Sequence, residues 1–263
     1  MNTLGFIGMG NMAQALAAGF IRSGKLTEKI RAYAPNREKL CRNAERMGFI
    51  PCNSLIELAD SSDTLIMACK PYQIEGVLKE LGDHLNGKAL ISICAGWSCS
   101  RYKGCLDPSV RFQFVMPNTP AMVGEGVLLF EKENSLRPEE REEILALFGS
   151  VGQVEEMPGH LMDAAGAITG CGPAFADLFM EAYADAAVKY GIPREAAYRL
   201  VSQTLLGSAS LQKKTGEHPA VLKDKVCSPA GTTIRGVASL EEDGFRSACI
   251  HSIDAIMNFK SRA

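Results

Sequence analysis

Gly8-Met9-Gly10-Asn11-Met12-Ala13 constrains this chain more than any other stretch. It follows a short apolar run, Leu4-Gly5-Phe6-Ile7, and leads into Ala15–Ile21, where apolar residues recur at helical spacing. The pattern is therefore G-x-G-x-x-A between a strand and a helix. The first glycine suits a tight turn. The second lets a backbone approach a pyrophosphate, and the small Ala13 lets helix and strand pack closely. The first turn of the helix offers free N–H groups to an anion. A tight turn in an unrelated α/β protein has the same letters, but the strand before and the helix after favour dinucleotide binding.

The next segments alternate in the same manner. Strands are expected at Ile30–Tyr33, Thr64–Cys69, Ala89–Cys94, Val110–Val115, Val127–Phe130 and Val151–Glu155, with a short segment at Phe49–Pro51 between the first two. Helices are expected at Arg37–Met47, from Asn53-Ser54 to near Ser61, and at Pro138–Phe148. Such alternation predicts an α/β fold with a largely parallel sheet, whose ligands lie beyond the carboxyl ends of the strands. Lys70 stands at such an end. Trp97, the only tryptophan, reads as packing. Where a ribose 2′-hydroxyl is read, an Asp or Glu ends the second strand. Here the chain has Ala34-Pro35-Asn36-Arg37, with Lys39 close behind. A guanidinium suits a 2′-phosphate, so the reading leans to NADP over NAD; Arg37 and Lys39 also begin a solvated helix. Met116-Pro117-Asn118-Thr119-Pro120 is a rigid loop. It is either a set of donors held for a ligand or a structural turn.

The second half reads as helix: Leu161–Ile168, a separate helix Pro173–Tyr190, Arg194 to about Lys213, Pro219–Lys225 and Phe245–Phe259. Cys171-Gly172-Pro173-Ala174 places proline at a first helical position. The helix it opens carries a wide apolar face and a polar stripe of Asp177, Glu181, Asp185 and Lys189, and is expected to fill the middle of this half. The boundaries expected are 1–158 for the nucleotide-binding domain and 159–263 for the helical one. So thin a helical domain is expected to bury its surplus apolar surface on a second copy. Its one loop rich in hydroxyls, Ser228-Pro229-Ala230-Gly231-Thr232-Thr233, is either a cradle for a small carboxylate or a capped helix start.

The 28 basic and 30 acidic residues are spread over both halves, which argues against nucleic acid and anionic membrane as partners. No apolar run spans a bilayer, and Met1-Asn2-Thr3 leads straight into a strand, so no targeting segment is expected. Nine scattered cysteines without a C-x-x-C pair predict reduced, buried thiols (Cys69, Cys94 and Cys249 among them) in a cytoplasmic protein. The four histidines lie in no triad or metal spacing, and no metal is expected. No lysine or histidine occupies Gly170–Phe175, where a hydroxy-acid dehydrogenase of this layout needs a general acid. A protonated imine has an electrophilic carbon already, so hydroxyl and backbone donors suffice for its reduction.

Along essentially its whole length the chain resembles the pyrroline-5-carboxylate reductase family. The residues that carry the resemblance are Phe6–Ala13, Cys69-Lys70-Pro71, Met116–Pro120, Gly170-Cys171-Gly172-Pro173-Ala174 and Ser228–Ile234. The resemblance implies a Rossmann-type domain followed by an all-helical dimerisation domain, a homodimer within a larger homo-oligomer, and NAD(P)H-dependent reduction of L-1-pyrroline-5-carboxylate to L-proline. NADPH is the cofactor expected, with NADH possible. Carried over by position, Gly8, Met9, Gly10, Asn11, Met12, Asn36, Arg37, Asn53, Ala68, Lys70, Pro71, Ala95, Pro117 and Asn118 bind cofactor. Ser228, Gly231 and Thr232 hold the substrate carboxylate, and Thr233 is the catalytic contact to the ring nitrogen. The chain departs from the family at Thr169-Gly170-Cys171-Gly172-Pro173-Ala174, where S-G-S-G-P-A is usual, and at Ser228-Pro229-Ala230-Gly231, where S-P-G-G is usual. A methyl at Ala230 opposes the positive φ that glycine takes cheaply. Some members carry a glutamate near Gly159-His160; this chain has none there. Two further readings stay open: another NADP-linked reductase of an imine or hydroxy acid, and a non-catalytic NADP-binding dimeric sensor.

Overall fold

The computed structural model describes residues 3–260; Met1 and Asn2, ahead of the first strand, lie outside the described residues. The chain divides into two compact units, Met1–Pro173 and Ala174–Ala263.

The first unit alternates strand and helix: β1 (Leu4–Ile7), α1 (Asn11–Ser23), β2 (Arg31–Tyr33), α2 (Arg37–Met47), β3 (Ile50–Pro51), α3 (Leu55–Asp60), β4 (Thr64–Met67), α4 (Ile74–Leu81), β5 (Ala89–Ser92), α5 (Cys99–Lys103) and β6 (Arg111–Met116). After these come β7 (Gly126–Asn134), α6 (Pro138–Gly149), β8 (Gly152–Met157) and a long helix, α7 (Met162–Lys189), which runs on into the second unit. The strands form one sheet in the order β3-β2-β1-β4-β5-β6-β7-β8. All neighbours are parallel except β6 and β7. The order reverses between β1 and β4, and in such a sheet the ligand crevice lies at this switch point.

Both faces of the sheet are buried, which is why the central strands are apolar throughout rather than alternating. On one face Phe6, Ile66 and Val115 meet Phe20 of α1 and Phe148 of α6. Phe148 stands edge-on to Phe20 at 5.1 Å and to Phe130 at 5.4 Å. On the other face Leu65, Leu90 and Phe112 meet Leu58, Leu78 and Tyr102. Tyr102 stacks on Phe112 at 4.3 Å, and its buried hydroxyl is 3.0 Å from Ser92 Oγ. Trp97 is buried against Tyr102, with the Arg101 guanidinium over its ring.

The first turns of α7 belong to this core. Met162 joins the second cluster, and Gly166 lies so close to Met116 that a Cβ there would overlap its sulfur. One expectation is corrected here. Leu161–Ile168 and Pro173–Tyr190 are not separate helices: α7 is continuous, with Pro173 inside it. Proline has no N–H for the carbonyl four residues back, that of Thr169. The gap is filled from elsewhere, because Asn118 Nδ2 donates to Thr169 O at 2.9 Å.

The second unit continues with α8 (Arg194–Thr215), α9 (Pro219–Val226), α10 (Thr232–Glu242) and α11 (Phe245–Lys260). Phe179 stacks on Tyr183 at 4.3 Å and meets Phe245, and Asp185 pairs with Arg194 at 2.5 Å. The expectation that α7 is enclosed also fails: Leu178 is 65% exposed and Phe175 38% exposed. Leu200, Leu206, Leu211, Ile250 and Phe259 are exposed too. Four further helices in this unit do not cover the apolar surface they share. No described helix is long and apolar enough to cross a membrane.

Candidate active site

The glycine turn after β1 has the geometry that its spacing predicts. Gly8 takes φ +96°, and a Cβ there would sit 2.8 Å from Ala68 O, so only glycine fits. Its N–H donates to Tyr33 O at 2.7 Å, and Gln14 Nε2 donates to Met9 O at 3.0 Å. Gly10 precedes α1 in an extended conformation with no side chain capping the helix and no acidic residue in the first turn. A Cβ on Gly10 would meet nothing within 4 Å. The close space is open, and the N–H groups of the first turn face it with the partial positive charge of the helix end.

This turn forms one wall of a cavity of about 1110 Å³ beyond the carboxyl ends of β1, β2, β4 and β5. Of the residues expected to bind cofactor, Gly8, Met9, Gly10, Asn11, Met12, Asn36, Ala68, Lys70, Pro71 and Ala95 line it. That volume exceeds the ~300–1,000 Å³ of pockets for drug-sized ligands. No carboxylate ends β2; Tyr33, Ala34, Pro35 and Asn36 form the wall there, with Lys39 and Asn43 beyond. Asn43 Nδ2 is buried and has no protein partner. An acceptor oxygen of a bound nucleotide would satisfy it.

Four expected residues are not brought to this wall. Arg37 Nη1 donates to Cys52 O at 2.7 Å, across to the end of β3. Asn53 gives its backbone N–H and Nδ2 to Glu57 Oε2, at 2.7 and 2.9 Å, beside Ser54, which caps α3. Pro117 is buried, and Asn118 is committed at both ends, accepting from Val127 N at 2.8 Å while donating to Thr169 O. Asn36, which does line the cavity, caps α2 by accepting from Lys39 N at 2.9 Å.

The sequence reading passed over Gly76, Val77 and Glu80 of α4. The signal was present: Ile74, Val77, Leu78 and Leu81 have helical spacing, and Ile74, Leu78 and Leu81 are buried. Thr119, next to Asn118, also lines the cavity. A smaller cavity of about 450 Å³ at the amino ends of the strands holds Lys88, Arg111 and Glu140. Its charges are engaged with one another, Arg111 with Glu140 at 2.6 Å, and Lys88 Nζ with Ser62 O at 2.9 Å.

The hydroxyl-rich loop of the second unit leads into α10. Gly231 is the cap residue, and no side chain caps the helix. Its N–H donates to Ser228 O at 3.0 Å, and a Cβ on it would lie 2.5 Å from Ser228 Oγ. Only glycine lets the Ser228 hydroxyl lie over the turn. Ser228, Thr232 and Thr233 are exposed. The expectation for Ala230 is corrected: it adopts φ +59° despite its methyl. Among the described residues no group of three or more His, Cys, Asp or Glu is placed to hold a metal. All nine cysteines are free, and Cys249, expected inside, is exposed.

Residues 159–262 match the family model described as pyrroline-5-carboxylate reductase dimerisation, and residues 3–96 match that described as NADP oxidoreductase, coenzyme F420-dependent. The pyrroline-5-carboxylate reductase of Treponema pallidum is 43% identical over 97% of this chain and 98% of its own. The Escherichia coli enzyme of the same name is 38% identical over 97% and 95%. Among solved structures, pyrroline carboxylate reductase of Plasmodium falciparum with NADP bound superposes with a TM-score of 0.88. It is 33% identical, over 97% of this chain and 95% of that one. With relatives this similar matched from end to end, the chain belongs to the pyrroline-5-carboxylate reductase family.

Proposed function

We propose that this protein reduces L-1-pyrroline-5-carboxylate to L-proline with NADPH as hydride donor, NADH serving less well. The observation that carries the reading is the open cavity at the switch point, with an uncapped helix end and Gly10 leaving room for a pyrophosphate, in a chain related over its full length to such reductases. Bound there, the reduced nicotinamide supplies a hydride. Gly8, Met9, Gly10, Asn11 and Met12 hold the phosphates; Ala68, Lys70, Pro71 and Ala95 form the wall beside them. Asn36 with Lys39 and Asn43 receives the ribose. Arg37, anchored through Nη1 to Cys52, turns its remaining N–H groups to a 2′-phosphate. Asn53, Pro117 and Asn118 act by holding α3 and the β6 loop in place.

Substrate is held by the second unit in this reading. Ser228, Gly231 and Thr232 hold the carboxylate through their hydroxyls and the free N–H groups of the first turn of α10, which no described side chain caps. The Thr233 hydroxyl accepts from the iminium N–H and orients the ring for transfer to its electrophilic carbon. The product amine keeps the proton, so no general acid is needed. We take the functional boundary at 158/159, a reading supported by the dimerisation match over residues 159–262, with the helical part pairing in a homodimer inside a larger homo-oligomer. Nine free thiols suit a reducing compartment, and the cytoplasm is the location proposed.

The test is NADPH oxidation coupled to added pyrroline-5-carboxylate, with proline identified as product. NADPH is expected to outperform NADH, and Arg37→Asp to narrow or reverse that preference. Nucleotide binding without turnover of the imine would overturn the reading in favour of a sensor.

A further inference from the structure

Two thiols that the proposed reaction does not use stand side by side on the cavity wall. Cys69 follows β4 and Cys94 follows β5, and the register pairs Thr64 with Ala89 through to Met67 with Ser92. Continued past the strand ends, that register sets Cys69 opposite Cys94. Neighbouring strands lie ~4.8 Å apart, inside the ~4.4–6.8 Å Cα range that a disulfide bridges. Both residues line the cavity; Cys69 is half-buried and Cys94 buried. The Cys94 thiol lies 3.2 Å from Cys69 O and 3.3 Å from Met67 O, and Cys69 Sγ lies 3.5 Å from Met67 Sδ. The neighbouring Cys94 thiol holds Cys69 below the usual thiol range, and the nearness of Cys69 together with burial pushes Cys94 up. One sulfur is therefore the readier thiolate, and the other keeps its proton beside it.

We propose that Cys69 and Cys94 form a paired-thiol modification site for hydrogen peroxide, and that its oxidation to a disulfide blocks nucleotide binding in the cavity. The Cys69 thiolate attacks the peroxide: an S–O bond forms, the O–O bond breaks, and hydroxide leaves. The Cys94 sulfur then attacks that sulfenic acid. An S–S bond forms, the S–O bond breaks, and the departing hydroxide takes the Cys94 proton as water. Two thiols and one peroxide give one disulfide and two waters, with two electrons passing from sulfur to oxygen. A dithiol reductant reverses the step by exchange. The link ties the turn carrying Lys70 and Pro71 to that carrying Ala95, all wall residues, and so fixes the wall against the adjustment that a nucleotide requires. A bound nucleotide covers Cys69 and protects it.

This rests on the cavity being the nucleotide site, and its test does not use imine turnover. Full-length protein is treated with hydrogen peroxide, mapped by peptide mass spectrometry, and titrated with NADPH by fluorescence before and after. Expected are a Cys69–Cys94 cross-link, at least tenfold weaker NADPH binding, recovery with dithiothreitol, and protection by NADP⁺ added first. Cys69→Ser and Cys94→Ser, with Cys69→Ala and Cys94→Ala as second variants should either serine misfold, are expected to show the same NADPH affinity before and after treatment. An equal loss of affinity in the variants, oxidation confined to Cys105 or Cys249, or a Cys69 sulfinic acid without cross-link would each overturn the proposal. Wild-type protein that binds no NADPH even before treatment would instead fail the reading of the cavity.

Discussion

Two residues of the α10 loop carry the most direct tests. Thr233 is exposed and is assigned the ring nitrogen, so Thr233→Ala should lower kcat/KM for the imine roughly 10–100-fold, the loss of one or two kcal/mol of positioning. Thr233→Ser should keep most activity, and NADPH affinity should barely move. Steady-state kinetics with direct nucleotide titration separates this from a hydroxyl that serves only the helix. Ala230 is a test of stability. Its φ of +59° costs an L-residue with a Cβ about 1–2 kcal/mol. Ala230→Gly removes that strain while adding freedom to the unfolded chain, worth ~0.5–1 kcal/mol. The net expectation is a stabilisation of about 0.5–1 kcal/mol, read from urea denaturation midpoints at constant m. A destabilised variant would mean that the methyl makes a compensating contact. The methyl argued against positive φ when the sequence was read alone. The backbone overrides it because the turn must bring Gly231 N to Ser228 O and leave the Ser228 hydroxyl over the glycine.

Among the elements, the alternation of short apolar runs with helical ones made the central strands of the sheet legible, since strands buried on both faces carry their own signature; the two-residue edge strand β3 is too short to carry it. The helix that proved hard to read was α7. Local rules break a helix at Pro173, and nothing near it in sequence says otherwise. The compensating group, Asn118, comes from the loop after β6, some fifty residues earlier in the chain. The same contact commits the amide of Asn118, a residue expected at the cofactor, to Thr169 O and away from the cavity lining. A double-mutant cycle tests the pairing. Asn118→Ala should destabilise by about 1–3 kcal/mol, because the Thr169 carbonyl and Val127 N–H both lose a partner. In a Pro173→Ala background the helix supplies its own donor to Thr169, and the cost of Asn118→Ala should fall by roughly 1 kcal/mol. Additivity of the two substitutions would show that the amide does not replace the missing helical bond. The cavity-lining residues of α4 escaped for a different reason: their helical spacing was legible, but only the folded sheet brings that helix beside the cavity.

At the level of the whole molecule, the second unit keeps Leu178, Leu200, Leu206, Leu211 and Ile250 at more than half exposure. Isolated domains do not usually leave so much apolar helix in water. If a second copy covers it, stability is linked to concentration, and the unfolding temperature of the full chain should rise with protein concentration over a hundredfold range. A temperature that does not move, together with a monomer in sedimentation, would remove the homodimer from the proposal. The continuity of α7 has a consequence for the order in which the protein is made. Met162 and Gly166, in its first turns, complete the packing of the sheet. The nucleotide-binding half therefore cannot close until the start of this helix has been synthesised, and it can close soon afterwards. At roughly 5–20 residues per second, the stretch from Ala174 to Ala263 takes about 5–18 s more to translate. The sticky helices therefore emerge after a half that has already had time to fold, so their search for a partner is not in competition with the folding of the sheet.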